Sequence, residues 1–141
     1  MSISINTVLD FDILPVEMAS RILYDHLVPT CEKQGIKLSL NGNYASSESM
    51  HLVEIYEKNK REEKLFNVER IQRAFSCLGH ITTRTYEAVG SYVVKHIIES
   101  YQDEYITNGD YIAAMLLKGY VAHFGSESSQ LNCRFSLRPN G

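Results

Sequence analysis

Cys77 and His80, three positions apart, form the tightest metal-type spacing in the chain. One such pair does not make a structural zinc site, which normally needs two, and the next candidates, His96 and Cys133, are remote in sequence. His26 and Cys31 are five apart and would face different sides of a helix. No metal site is expected. Nucleophilic chemistry fares no better. Cys31, Cys77 and Cys133 each lack a histidine in a recognisable arrangement. Ser91 sits in Val89-Gly90-Ser91-Tyr92, which is not the strand-turn-helix context a nucleophile elbow requires. Gly119 and Gly125 are too isolated to form a phosphate-cradling loop. The odd number of widely spaced cysteines excludes a disulfide framework and reads as three reduced, semi-buried thiols.

The run Val8-Leu9-Asp10-Phe11-Asp12 resembles the nucleophile loop of haloacid dehalogenase-type phosphatases. That resemblance implies two aspartates that attack phosphate and hold magnesium. It spans five residues and stops there. Gly109-Asp110 could stand for the late acidic motif, but its second carboxylate is missing, because Ala114 occupies the place four residues on. The alternating pattern of a parallel sheet is missing too. The simpler reading places Asp10 and Asp12 just ahead of a helix, where its dipole favours acids. A non-enzymatic protein with no catalytic residue and no cofactor is the expectation.

Bulk properties agree with one ordinary domain. The chain has 141 residues, 44% apolar and 22% charged, which excludes disorder. No apolar run approaches the roughly 20 residues needed to cross a bilayer. Met1 to Asn6 lacks the basic start and apolar core of a signal peptide, so a cytoplasmic location is expected. Net charge is −3 but uneven. Residues 1–57 carry three basic and eight acidic groups, and residues 58–141 carry eleven basic and nine acidic groups. The first part repels nucleic acid and the second tolerates it.

The elements that must position any site follow from periodicity. Ser2 to Phe11 reads as an N-terminal strand or arm. A helix starts at Pro15, buries Val16, Ala19, Ile22, Leu23 and Leu27, and is expected to end or kink at Pro29. Ile36 to Leu40 alternates like a half-buried strand before the Asn41-Gly42-Asn43 turn. Ser46 to Ser49 can cap a helix with Met50, Val53 and Tyr56 on its stripe, continuing through the charged run Glu57 to Lys64 as a solvated face. A further helix covers Val68 to Leu78, with Gly79 as its cap. Thr83 can cap a helix from Arg84 to Tyr101, in which Gly90 is a weak point. Thr107-Asn108-Gly109-Asp110 has capping-box spacing, and the helix it starts stops at Gly119. Tyr120 to Phe124 and Leu131 to Leu137 read as two strands of a hairpin around residues 125–129. The predicted class is therefore α+β and mostly helical: five or six helices, an N-terminal strand or arm, and a C-terminal helix-helix-hairpin unit like a winged helix. Residues 1–141 form one domain, with an acidic helical part at 1–83 and the winged-helix-like part at 84–141.

Two surfaces follow from that order. In a winged helix the last helix enters the DNA major groove and the hairpin is the wing. Here that helix, Asp110 to Lys118, offers one acid, one tyrosine and one lysine, whereas base reading favours Arg, Lys, Asn or Gln. Lys95, Lys118, Arg134 and Arg138 are the candidates for phosphate contact with double-stranded DNA. The second surface is aromatic. Nine tyrosines stand in a chain with no tryptophan, and Tyr92, Tyr101, Tyr105, Tyr111 and Tyr120 all fall in the C-terminal half. Half-exposed tyrosines favour interfaces, which makes Tyr92, Tyr105, Tyr111 and Tyr120 candidates for binding a protein partner or a second copy. His96 reads as a partly buried, hydrogen-bonded side chain.

Ser91-Tyr92, Lys95-His96, Glu99, Tyr105, Asn108-Gly109, Ile112-Ala113-Ala114, Gly119, Asn132 and Phe135 together resemble small proteins encoded by phages and large viruses. The resemblance covers residues 91–135. It implies an accessory protein acting on host or viral macromolecules, and it supplies no catalytic residue. The leading expectation is a non-enzymatic interaction protein that binds a protein partner through its C-terminal half. A winged-helix DNA binder is the alternative.

Overall fold

The computed structural model describes residues 10–40, 42–43, 50–78, 90–102, 104–124 and 133–136. The strand or arm expected over Ser2 to Phe11 is described only at its end, where Asp10 lies in a turn and Phe11 opens the 3-10 helix Phe11–Ile13, so no strand reaches that far; residues 2–9, the cap at 46–49, Gly79, His80, Thr83, the helix start at 84–89, the hairpin loop at 125–129 and Arg138 lie outside the described residues. What is described is mostly helical, with two small antiparallel strand pairs.

Pro15 leads into the first helix, where its carbonyl accepts from Ala19 N–H at 2.9 Å and its missing N–H costs nothing. Helix α1 (Val16–Ile22) runs through a π-helical turn, Leu23–Leu27, into α2 (Val28–Lys33). The helix expected to end or kink at Pro29 does not end there. The wide turn lies directly ahead of the proline: Val28 N–H reaches back five residues to Leu23 O. That extra girth gives the ring room that a normal α-turn denies it. Gly35, at φ +77°, then ends the rod. Ile36 N–H bonds Cys31 O at 2.8 Å and Gly35 N–H bonds Glu32 O at 3.1 Å, the paired closure that favours glycine.

Strand β1 (Leu38–Ser39) is shorter than the strand predicted over 36–40 and pairs antiparallel with β2 (Gly42–Asn43). Helix α3 (Met50–Arg61) is anchored by Tyr56, its one fully buried side chain among those described. The Tyr56 hydroxyl donates to Glu32 at 3.2 Å, and the ammonium groups of Lys37 and Lys60 lie 5.1 and 5.7 Å from its ring centroid. Glu63 closes the following turn at φ +55° and is ion-paired with Arg21.

Asn67 caps α4 (Val68–Cys77) by accepting from Arg70 N–H at 3.0 Å, and Ile71, Ala74 and Phe75 turn inward. Helix α5 (Ser91–Gln102) begins at Ser91, with Gly90 O accepting from Val93 and Val94. Gly90 therefore precedes the helix instead of weakening its middle. Helix α6 (Asn108–Lys118) ends at Gly119, φ +98°. Strands β3 (Val121–Phe124) and β4 (Cys133–Ser136) pair antiparallel, with His123 opposite Arg134. Among the described residues, no helix is long and apolar enough to cross a membrane.

Helix α6 is the centre. Every residue from Asn108 to Met115 is buried, which is what a helix apolar on nearly all sides requires. Helices α4 and α5, both strands of the first hairpin and strand β3 pack against it. Tyr111 meets Phe135 of β4 edge-on, with ring centroids 5.6 Å apart. Gly109 touches the first hairpin directly: its N–H donates to Leu40 O at 2.8 Å. A Cβ at this position would stand 1.7 Å from Ser39 O and 2.7 Å from the Leu40 carbonyl, so only glycine fits.

That contact gives a paired test. Gly109→Ala is expected to destabilise by about 3 kcal/mol or more, because backbone and not a flexible side chain blocks the new methyl. Gly90→Ala, whose added methyl meets nothing within 4 Å, should lie within about 1 kcal/mol of the parent. Urea denaturation of the two variants measures both.

Candidate functional site

The site is built outward from the buried start of α6. Thr107 caps the helix: its Oγ1 accepts from Asp110 N–H at 3.0 Å, and Asp110 Oδ2 accepts from Thr107 N–H at 2.9 Å. The sequence predicts this capping box, and the structure forms it. Asp110 is fully buried, and burial pushes its carboxyl above the ordinary aspartate value against the pull of Thr107 and Arg70. A buried carboxylate needs a partner, and Arg70 of α4 supplies it, with Nε 2.9 Å from the same Oδ2.

Arg70 does two things at once. Its guanidinium carbon also lies 5.7 Å from the ring centroid of Tyr105, a residue 62% exposed just ahead of α6. Lys95 of α5 approaches the same ring, with Nζ 5.2 Å from the centroid. Lys95 is itself buried, donating to Ile106 O at 3.3 Å and standing 3.5 Å from Glu99 Oε1. Glu99 completes the set. Its Oε2 accepts from Ile106 N–H at 3.0 Å, and its Oε1 lies 2.9 Å from His96 Nδ1. Burial alone would raise the Glu99 carboxyl, but the Ile106 N–H and Lys95 together bring it below the ordinary value. Arg73, one turn beyond Arg70, pairs with Glu104 at 2.8 Å.

The result is an exposed aromatic ring held by two cations that are each tied back into the fold. Every charged group named around Tyr105 has an opposite charge beside it, so this patch has little net charge to offer. It holds an aromatic surface in place.

The predicted tyrosines do not share one surface. Tyr105 is exposed, while Tyr111 is wholly buried and serves the core. It is therefore a packing residue and not a contact residue. Tyr120 is partly buried against the core, and Tyr92 lies on α5 with its side chain outside the description. The predicted phosphate-contacting residues scatter as well. Lys95 is turned inward onto Tyr105, Lys118 lies over the Phe75 ring at 4.6 Å, and Arg134 is exposed on β4. The structure joins Lys95 and Tyr105, which sequence reasoning assigned to different partners. It also adds Arg70, which no local pattern marks because its partner lies 40 residues away. Lys95 and Glu99, four apart on one helix, carried a weak signal for their pairing.

Cys31 and Cys133 are buried free thiols. Burial pushes the Cys31 and Cys133 thiols up to about 12, so both are protonated at neutral pH. Ser91 is buried, with its hydroxyl accepting from Cys133 N–H at 3.1 Å. Among the described residues, no three His, Cys, Asp or Glu side chains come together as a metal site. Asp10 is exposed and Asp12 half-buried at the short 3-10 turn Phe11–Ile13, with no capping hydrogen bond from the Asp10 side chain. In comparisons with protein-family models, curated proteins and solved structures, the chain matches none.

The two carboxylates should move the acid limb of stability in opposite directions. Glu99 is lowered in the fold, so its contribution is present above the unfolded-state value and lost as pH falls through the folded one. Asp110 is raised, so its contribution falls as pH rises from the unfolded value through the folded one. Glu99→Gln is therefore expected to flatten the loss of stability between about pH 6 and pH 3, and Asp110→Asn to steepen it. Urea midpoints across that range test both signs.

Proposed function

We propose that this chain is a non-enzymatic interaction protein that binds a protein partner through its C-terminal half, with Tyr105 at the centre of the contact. The carrying observation is the exposure of Tyr105 together with its anchorage. An exposed tyrosine normally loses rotamer freedom when a partner arrives. Here Arg70 and Lys95 already hold the ring, so less ordering remains to oppose binding. Tyrosine and arginine are also the residue types that dominate interface energetics. Residues 91–135 contain Tyr105 and most of this network, and their resemblance to small phage and large-virus proteins fits an accessory factor acting in the host cytoplasm.

Double-stranded DNA is the alternative, favoured by the helix-helix-hairpin order and by exposed Arg134 on the ribbon. Against it, a winged-helix reading needs an accessible last helix, and α6 is buried along most of its length. Phosphate binding also needs accessible, uncompensated cations, and Lys95 is buried beside Glu99.

A photo-crosslinking amino acid at position 105, in cells that express the protein, is expected to yield a discrete protein adduct. The same group at the buried position 111 should yield none. Once the captured partner is purified, Tyr105→Ala is expected to weaken binding by about thirtyfold, or about 2 kcal/mol. Low-salt gel shifts with micromolar protein are expected to show no retardation of duplex DNA. Retardation by DNA, or an adduct whose affinity ignores Tyr105→Ala, would overturn the reading.

A further inference from the structure

Helix α3 is held differently from the helices around α6. Among its described side chains Tyr56 alone is fully buried, while Leu52, Val53 and Ile55 stay half-buried. Among the described residues, no helix or strand packs along α3 as α4 packs along α6. What holds it is one ring and a set of charges. Glu32 of α2 is the catch: its Oε2 accepts from the Tyr56 hydroxyl at 3.2 Å and pairs with Lys60 Nζ at 2.8 Å. Lys60 also pairs with Glu57 at 2.9 Å, and Glu57 lies 3.7 Å from Lys37 Nζ. These four ionic side chains are each 31% to 37% exposed. Ion pairs that stay in contact with water contribute little one by one, and salt screens them. That is a light grip for a helix of twelve residues.

The helix also has a pivot. Just past it Leu65 and Phe66 are buried, Leu65 N–H donates to the Tyr24 hydroxyl at 2.9 Å, and the Phe66 ring centroid lies 5.8 Å from that of Tyr24. Between this anchored pair and the helix stand Glu62, Glu63 and Lys64, all exposed, with Glu63 in the left-handed region that a glutamate rarely adopts. The chain is fixed firmly on one side of that turn and lightly on the other. A thiol lies under the light side. Cys31 precedes Glu32 and is 3% exposed. Burial, then Glu32, then Cys31 push the Tyr56 phenol up, which places the thiol beside the side chain that α3 inserts.

We propose that α3 is a salt-sensitive strap that swings off α2 as a unit about Glu62–Lys64, while α6 and its neighbours stay folded, and so uncovers Cys31. Partial opening of this kind draws on segments with few buried apolar contacts. The strap shares no residue with the Tyr105 site, so the failure of one reading leaves the other intact.

Labelling of Cys31 with N-ethylmaleimide, followed by peptide mass spectrometry on the native chain, tests the proposal. The thiolate sulfur adds to the alkene, the neighbouring carbon takes up a proton, and nothing leaves. The probe is uncharged, so salt acts on the protein and not on the probe's approach. Raising sodium chloride to about 0.5 M is expected to speed labelling of Cys31 by about threefold. Lys60→Met and Tyr56→Phe, each of which removes one bond to Glu32, should each speed it by about fivefold. Thr107→Ala strips the cap from α6 and should speed hydrogen exchange of the α6 amides by about fivefold. The same variant should leave Cys31 labelling unchanged, because α6 is intact whether the strap is closed or open. If Thr107→Ala speeds both processes alike, Cys31 is reached only by global unfolding and the strap does not exist. Labelling that ignores both salt and Lys60→Met overturns it as well.

Discussion

Helix α6 begins inside the protein, and much of the structure answers that constraint. The first amides of a helix have no partner within the helix, and water cannot supply one where Asn108, Gly109 and Asp110 are all buried. The chain supplies them itself. Thr107 takes the Asp110 amide, and the first hairpin brings Leu40 O to the Gly109 amide. The capping acid brings a new difficulty, a buried negative charge, and Arg70 answers it from α4. Arg70 then reaches the surface as one of two cations against Tyr105. The exposed ring and the buried helix start are thus two ends of a single electrostatic arrangement.

The same logic accounts for the polar groups around Tyr105. Lys95, Glu99, Arg70 and Asp110 are four ionisable groups within one small region, the composition of many active sites. Each is spent on a backbone group or on an opposite charge: Ile106 for Lys95 and Glu99, Thr107 for Asp110, and Asp110 for Arg70. Tyr105 remains exposed beside them.

Local physics made much of the fold legible. The Thr107–Asp110 box, the stop at Gly119, the extent of α4 and the two C-terminal strands all follow from spacing over a few residues. Three features did not. Pro29 reads as a helix breaker because the rule assumes an α-turn ahead of it, and the π-turn at Leu23–Leu27 changes that premise. Tyr111 reads as a surface tyrosine because amphipathic patterning cannot mark a helix covered on all sides. Tyr105 and Lys95 were both legible as candidates, but Arg70, the second cation against the ring, was not, because its partner Asp110 stands forty positions away and no short motif encodes that distance.

The hydrogen bond between Leu40 and Gly109 has a kinetic consequence as well. It joins points 69 positions apart in the chain, and the Arg70–Asp110 pair spans 40 more of overlapping sequence. Neither can form until the intervening loop has closed, and the entropy of that closure precedes any reward from burial. Such wiring raises contact order and slows folding relative to a helical bundle with neighbour-only contacts. It also means that the acidic and the basic parts of the chain mature together: a nascent chain that ends before Gly109 holds a first hairpin with nothing to rest on.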